Sequence, residues 1–312
     1  MFQLLSAFFR LVRWTNLVFI FLTQVLFYYL ILLRSLDYMH PGPHKLTPLL
    51  FYLLSAASVL IAAAGYIIND YFDLNIDRVN KPERLVVEKI IHRRSTILWH
   101  WVLSGIGVLL SCYVSWALRN PLIVLANLGC VILLWVYSTT FKRKLLIGNI
   151  IISVLTAWVI LVLYTAEIRL RADEAYRAYT TRLFKFAIVY AGFAFIISLV
   201  REVIKDIEDM EGDEKYGCRT MPIVWGVNVA KVFAGTWLFV LIGALVILEF
   251  YVLQKAEWPM IAYSVVLLDL PLLWLLRKLY EAQTRAQYHR LSNVVKGVML
   301  AGILSMVLLK FV

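Results

Sequence analysis

The chain has 312 residues, 62% of them hydrophobic, with a mean hydropathy of +0.78 and a formal net charge of +11. A soluble domain is about 45–50% apolar, so this composition excludes a soluble enzyme and requires most of the chain to face lipid. On a soluble chain the positive charge would suggest nucleic acid. No RNA- or DNA-binding pattern accompanies it here, and basic loops beside anionic lipid account for it.

Arg10 and Arg13 precede the first apolar run, 14–33. That run is too long for the core of a secretory signal and has no A-x-A-like cleavage site, so it reads as a retained first span. Pro41, Gly42 and Pro43 break the connection to the second run, 48–69. Runs at 96–117, 121–140, 145–166, 183–204, 225–250, 258–276 and 292–312 bring the total to nine. Each is near the ~20 residues a membrane helix needs, and none alternates as a membrane β-strand does. Asn120-Pro121 turns the chain between spans three and four, Pro222 precedes span seven, and Pro259 opens span eight in its first turn. The expected fold class is an all-α polytopic membrane protein with nine transmembrane helices in a single domain, 1–312.

With the N-terminus in the cytoplasm, most of the 31 Lys and Arg residues fall on the N-terminus and connections 2–3, 4–5, 6–7 and 8–9. That asymmetry gives an N-in orientation, in the cell membrane. The 167–185 connection, with Arg169, Arg171, Arg177, Arg182 and Lys185, is the poorest fit and reads as a short surface helix. Cys112, Cys130 and Cys218 are scattered and imply no disulfide framework. The five histidines form no zinc pattern, and P-loop, Rossmann and G-x-S-x-G signatures are absent. Nothing in the sequence sets an oligomeric state.

Two acidic clusters carry the chemistry. The first reads Asn69-Asp70-x-x-Asp73-x-x-x-Asp77, followed by Asn80-Lys81-Pro82-x-Arg84. Asn69, Asp73 and Asp77 are spaced by four, Asn80 continues the stripe, and Asp70 pairs with Asp73 at i+3. The second reads Arg201-Glu202-x-x-x-Asp206-x-x-Asp209-x-x-x-Asp213, with its four carboxylates on one helix face. Glu208 and Glu211 lie off that stripe and read as solvated. An ordinary solvated helix end mixes signs, because like charges repel at i+4. Two carboxylate faces on the same side of the membrane suit a hard divalent cation, and Mg²⁺ completes its shell with phosphate oxygens. Lys81 and Arg84, then Lys142 and Arg143 in Tyr137-Ser138-x-x-Phe141-Lys142-Arg143, are candidates for those phosphates. Asn16, three residues after Arg13, could reach the site mouth. Arg93, Arg94 and Arg285 read as anchors or lipid contacts. Asp269 lies within span eight, two residues before Pro271, where a functional and a structural role are both open. The same holds for Asn127 and Asn149.

These motifs together resemble the UbiA superfamily of intramembrane prenyltransferases, over nearly the whole chain. Within it, the run from Arg201 to Asp213 and the following Gly217-x-Arg219-Thr220-x-Pro222 are most similar to the digeranylgeranylglyceryl phosphate synthases. Quinone-type members often carry a Tyr four residues before the Lys of the Lys-Arg pair, whereas Tyr137 lies five before Lys142, which fits the lipid-ether branch better. The resemblance implies a bundle around a central cavity, capped by cytosolic loop helices, and Mg²⁺ joining both acidic motifs to an isoprenyl diphosphate. It implies two ions, one on Asp70, Asp73 and Asp77 with help from Asn69, the other on Asp209 and Asp213 with Asp206 or Glu202. Asp73, Asp77, Asp209 and Asp213 are then the catalytic carboxylates. Asn69, Asn80, Lys81, Arg84, Tyr137, Lys142, Arg143 and Asn16 meet substrate. The expected partners are an isoprenyl diphosphate, a glycerophosphate lipid acceptor and membrane lipids, with no nucleic acid. Two alternatives remain at this point. One is an aromatic or quinone-precursor acceptor, and the other is a cation or phosphate transporter with its carboxylates on a translocation path. A CDP-alcohol phosphotransferase would need a D-G-x-x-A-R opening, which is absent.

Overall fold

The computed structural model describes residues 2–35, 44–168 and 174–309, and these are helical almost throughout. Pro41, Gly42, Pro43, Arg169 and Arg171 lie outside the described residues. A short amphipathic helix, α1 (Phe2–Leu11), precedes the first span, α2 (Trp14–Ser35). The remaining spans are α3 (Pro48–Asn80), α4 (Arg93–Ala117), α5 (Pro121–Thr139), α6 (Ile147–Glu167) and α7 (Glu174–Glu208). Two short helices, α8 (Met210–Lys215) and α9 (Met221–Val224), lead to α10 (Val227–Leu253), α11 (Trp258–Glu281) and α12 (Arg285–Leu308). Among the described residues, nine helices are long and apolar enough to cross a membrane.

The breaks follow local chemistry. Pro48 starts α3 at a position where its missing N–H costs nothing. Asn120 caps α5 by accepting from Leu122 N at 3.2 Å, and its Nδ2 donates to Thr165 O at 2.7 Å, fastening the turn to the end of α6. Thr284 and Gln287 form a reciprocal capping box at the start of α12. Besides the last span, which starts at Arg285 rather than 292, two of the expected ends move. α3 continues from 69 to Asn80 and α7 begins at Glu174, because motif residues and basic residues beyond the apolar runs keep helical hydrogen bonding. The surface helix expected in the 167–185 connection is, from Glu174 onward, the first turns of α7.

Packing is inverted relative to a soluble protein. Leu109, Trp116, Phe239 and Ile247 are among the large side chains that face outward, as lipid contact requires. Inside, α7 is the shared wall of two apolar cores, one with α2, α3 and α6, the other with α10, α11 and α12. α3 and α5 approach closely at Gly65, where a Cβ would stand 2.8 Å from Leu134. At the far face, the fully buried Glu167 accepts from Lys45 N (3.2 Å), Leu46 N (2.9 Å) and Tyr176 OH (2.8 Å), tying the chain before α3 to the start of α7. Asn127 and Trp158 are likewise structural: Asn127 donates to Ser111 Oγ at 2.9 Å and accepts from Trp158 Nε1 at 3.0 Å. Asp269 ends a π-helical segment, Val265–Asp269, just before Pro271 and is buried in the bundle.

Candidate active site

The first motif lies on the last three turns of α3, and the helix runs through it without a break. Asn69 Nδ2 therefore reaches Asp73 Oδ2 at 2.7 Å across one turn. The same Asp73 oxygen pairs with Lys142 Nζ, which also reaches Asn69 Oδ1 at 3.5 Å. Lys142 sits in a tight turn, Phe141–Arg143, between α5 and α6. Burial works against its charge, but the Asp73 carboxylate more than offsets that and holds its pKa well above the ordinary lysine value. Asp77 stands in the field of Asp73, Lys142, Asp70 and Arg13. Asp70 itself is taken by Arg13 at 2.7 Å.

The second motif is not one continuous helix face. α7 ends at Glu208, and Asp209 leaves the helical region (φ −96°, ψ 5°) before α8 begins. This bend turns Asp209 and Asp213 toward α3. Lys81 Nζ donates to Asp209 Oδ2 at 2.6 Å, and Arg285 stands 3.9 Å from Oδ1. Asn80 locks the junction: its Nδ2 donates to Asp209 O at 2.9 Å and its Oδ1 accepts from Gly212 N at 3.0 Å. Only glycine fits there, since a Cβ at 212 would lie 2.6 Å from the Asn80 carboxamide. Both amide atoms of Asn80, expected to meet substrate, are committed to this backbone.

Asp213 is buried, and that burial raises its carboxyl to about 6. Asp209 and Asp73 push the same way, and Lys142 and Lys81 pull against them. Asp73 and Asp213 thus face each other across the gap between the motifs. Higher on α7, Asp206 accepts from Asn149 Nδ2 at 2.8 Å, and Glu202 is held by Arg201 and Lys205, each at 3.1 Å. Tyr137 lies among Lys142, Glu202, Asp73 and Asp206. Arg143 is exposed, and its carbonyl accepts from Arg219 N at 2.8 Å. The Arg84 side chain lies outside the described residues. Asn16 Oδ1 accepts from Lys296 Nζ at 3.1 Å.

Three expectations change. Glu208 is not solvated: it is buried and bonded to His289 Nδ1 at 2.8 Å, because its position on the last turn of α7 faces α12. Arg285 is not a lipid anchor, since it also donates to Asn80 O. The carboxylate stripe from Glu202 to Asp213 is divided by the same bend. Sequence reasoning also missed Arg13 as the partner of Asp70 and Lys296 as the partner of Asn16, while Asn149, whose role was left open, donates to Asp206. A cation inside an apolar run, as Lys296 is, was the available signal.

Among the described residues, no three carboxylate, His or Cys side chains stand close enough to hold a metal by themselves. Mg²⁺ is ordinarily held by one or two carboxylates plus substrate phosphates, which is the type of donor set present. Asp209 Oδ1 is buried without a hydrogen-bond partner, so it has a free lone pair for such an ion.

Residues 29–295 match the UbiA prenyltransferase family. The chain belongs to that family. It is therefore a membrane-spanning prenyltransferase. Curated relatives named digeranylgeranylglyceryl phosphate synthase include one from Methanothermobacter thermautotrophicus, 30% identical over 79% of this chain and 80% of that one. Another, from Methanosphaera stadtmanae, is 26% identical over 81% of this chain and 85% of the relative. Among solved structures, a digeranylgeranylglyceryl phosphate synthase superposes with a TM-score of 0.63 at 22% identity, covering 97% of both chains. A UbiA homologue from Archaeoglobus fulgidus, bound to DMAPP and Mg²⁺, gives 0.58 at 16% identity, over 96% of this chain and 99% of that one. These likenesses establish the fold.

Proposed function

We propose that the chain transfers a geranylgeranyl group from its diphosphate to a hydroxyl of geranylgeranylglyceryl phosphate, releasing diphosphate, as one transmembrane unit over 1–312. The similarity to digeranylgeranylglyceryl phosphate synthases over about four-fifths of the chain supports the acceptor. The observation that carries the chemistry is the convergence of Asp73, Asp77, Asp209 and Asp213 on one gap flanked by Lys81 and Lys142.

Asp73 and Asp77 would hold one Mg²⁺ and Asp209 and Asp213 a second, with Asp70, Asp206 and Glu202 oriented by Arg13, Asn149 and the Arg201–Lys205 pair as outer partners. Bound Mg²⁺ supplies Lewis-acid polarisation and charge neutralisation to the leaving diphosphate. Lys81 and Lys142 share that task and are already half-buried and directed by Asp209 and Asp73, so they need little reorganisation as charge develops. Arg143 and Arg84, in the adjoining loops, are assigned to the outer phosphate oxygens. The C1–O bond to diphosphate breaks and the acceptor oxygen bonds to C1. The hydroxyl proton leaves to a carboxylate or diphosphate oxygen. Tyr137, which lies among Lys142, Glu202, Asp73 and Asp206, would offer its ring to the developing cation at C1, and the apolar spans would exclude water. The basic loops assign the motif side, with the N-terminus, to the cytoplasmic face of the cell membrane.

The test is a product assay on purified protein in detergent with Mg²⁺ and labelled geranylgeranyl diphosphate. Geranylgeranylglyceryl phosphate should yield a diether phospholipid, and only with the metal. A prenylated product from 4-hydroxybenzoate or a naphthoate instead would keep the carboxylate chemistry and overturn the acceptor.

A further inference from the structure

Donor handling draws on cations of the loops. A second group of cations sits on the spans, and the reaction as described uses it only to hold Asp70 and Glu202 in place. Arg13 and Asn16 open α2, Tyr66 lies on α3, Arg201, Glu202 and Lys205 on α7, and Lys296 on α12. They form one connected network. Arg13 pairs with Asp70 and lies over the Tyr66 ring at 5.2 Å. Tyr66 hydrogen-bonds with Asn16, whose Oδ1 accepts from Lys296 Nζ at 3.1 Å. Arg201 and Lys205 converge on Glu202, and Arg13 lies within electrostatic reach of both.

The balance of this network is informative. Arg13, Arg201 and Lys205 are set against two carboxylates, Asp70 and Glu202, while Asp206, one turn along, is occupied by Asn149. Arg201 Nε is buried and has no hydrogen-bond partner. A guanidinium donor left unsatisfied in a membrane-depth interior is costly unless an anion visits it. Asp70 divides the two halves of the site: on its own helix Asp73 turns to Lys142, while Asp70 turns to Arg13. The network therefore borders the diphosphate site without being part of it.

We propose that Arg13, Arg201, Lys205 and Lys296, with Asn16, bind the phosphate monoester of the lipid acceptor. This rests on the reading of the acceptor as a glycerophosphate. A monoester carries between one and two negative charges at neutral pH, and Arg offers it a two-pronged donor. An acceptor of this kind brings a second anion beside the diphosphate, and it needs counter-charge that the loop cations cannot share. The spans supply that charge at the depth where a lipid headgroup meets the bilayer. On a glycerol backbone the free hydroxyl lies within a few ångströms of the phosphate, so holding the phosphate here aims the hydroxyl at C1. The network would thus select a phosphorylated acceptor over a neutral one.

The experiment compares geranylgeranylglyceryl phosphate with the same lipid lacking its phosphate, in the full-length protein with Mg²⁺ and geranylgeranyl diphosphate. Lys296→Gln, which leaves Arg201 and Lys205 on Glu202, should raise KM for the phosphorylated acceptor by at least about ten-fold, the loss expected for one charge-assisted hydrogen bond. KM for the donor should stay within about two-fold, and turnover of the phosphate-free lipid should not change. Equilibrium binding of the phosphorylated acceptor without donor should weaken in parallel, and Lys296→Arg should recover part of it. Should Lys296→Gln fail to fold, Arg201→Gln is read from the ratio of kcat/KM for the two acceptors, in which any effect through Glu202 cancels. Equal losses with both acceptors, or an unchanged acceptor KM, would overturn the phosphate site. Wild-type protein that uses an aromatic acceptor and not the glycerophosphate would overturn the underlying reading, and that result appears before any variant is made.

Discussion

The contact between Asn80 and Gly212 joins the two acidic motifs, and its removal should separate them. In Gly212→Ala the new Cβ would lie 2.6 Å from the Asn80 carboxamide, well inside contact distance. The carboxamide must move, and it then loses its bonds to Asp209 O (2.9 Å) and Gly212 N (3.0 Å). At ~1 kcal/mol net each, the two bonds amount to ~2 kcal/mol, enough to let Asp209 and Asp213 shift relative to Asp73 and Asp77. A displacement of ~1 Å in such a site costs ~100-fold in rate. Asn80→Ala should cause a similar loss by deleting both bonds directly. It also removes the obstacle to a methyl group at 212, so the double variant should be no worse than the poorer single one. kcat/KM with saturating Mg²⁺, measured for the two single variants and the double, gives the coupling. Gly243→Ala, where a Cβ meets nothing within 4 Å, is the control and should behave as wild type. Wild-type kcat/KM in Gly212→Ala, or strictly additive losses in the double variant, would refute the clamp.

Asp73→Asn and Asp209→Asn should each lower turnover by ~100-fold or more, with thermal unfolding in detergent little changed. Near-normal rates in either well-folded variant would exclude its carboxylate from the metal site. Burial holds Asp213 up to about 6, so the group is ionised above that pH and protonated below it. The Mg²⁺ concentration for half-maximal activity should therefore rise as pH falls through about 6, and a requirement that stays flat across that range would count against Asp213 as a ligand. Glu167→Ala leaves Lys45 N and Leu46 N without their buried carboxylate acceptor, while Tyr176 OH keeps the Glu167 main-chain carbonyl. The expected loss is roughly 3 kcal/mol of stability, read as a lower unfolding temperature in detergent. Because Glu167 is at the face opposite the motifs, KM for both substrates should not move.

Much of this protein is determined by the sequence alone. Nine apolar runs of spanning length fix an all-helical membrane bundle, because lipid offers backbone groups no other partners. An even number of crossings between the acidic motifs brings both to one face, whichever side that is. Asp73, Asp77, Asp209 and Asp213 are legible for the same reason: carboxylates stacked on one face repel unless something cationic joins them. What only the tertiary structure decided is how those groups are shared out. Asp206, Asp209, Gly212 and Asp213 are poor helix formers, yet their spacing does not say which of them bends the chain. The structure puts the bend at Asp209 and turns that residue toward Lys81, while Glu208, on the last turn of α7, meets His289. Asn80 looks like one more polar residue of a stripe until Gly212 is seen packed against it. Arg13, Arg285 and Lys296 meet Asp70, Asn80 and Asn16 across 57, 205 and 280 residues of chain. Local spacing carries no information about such contacts, because only the packing of distant spans closes them.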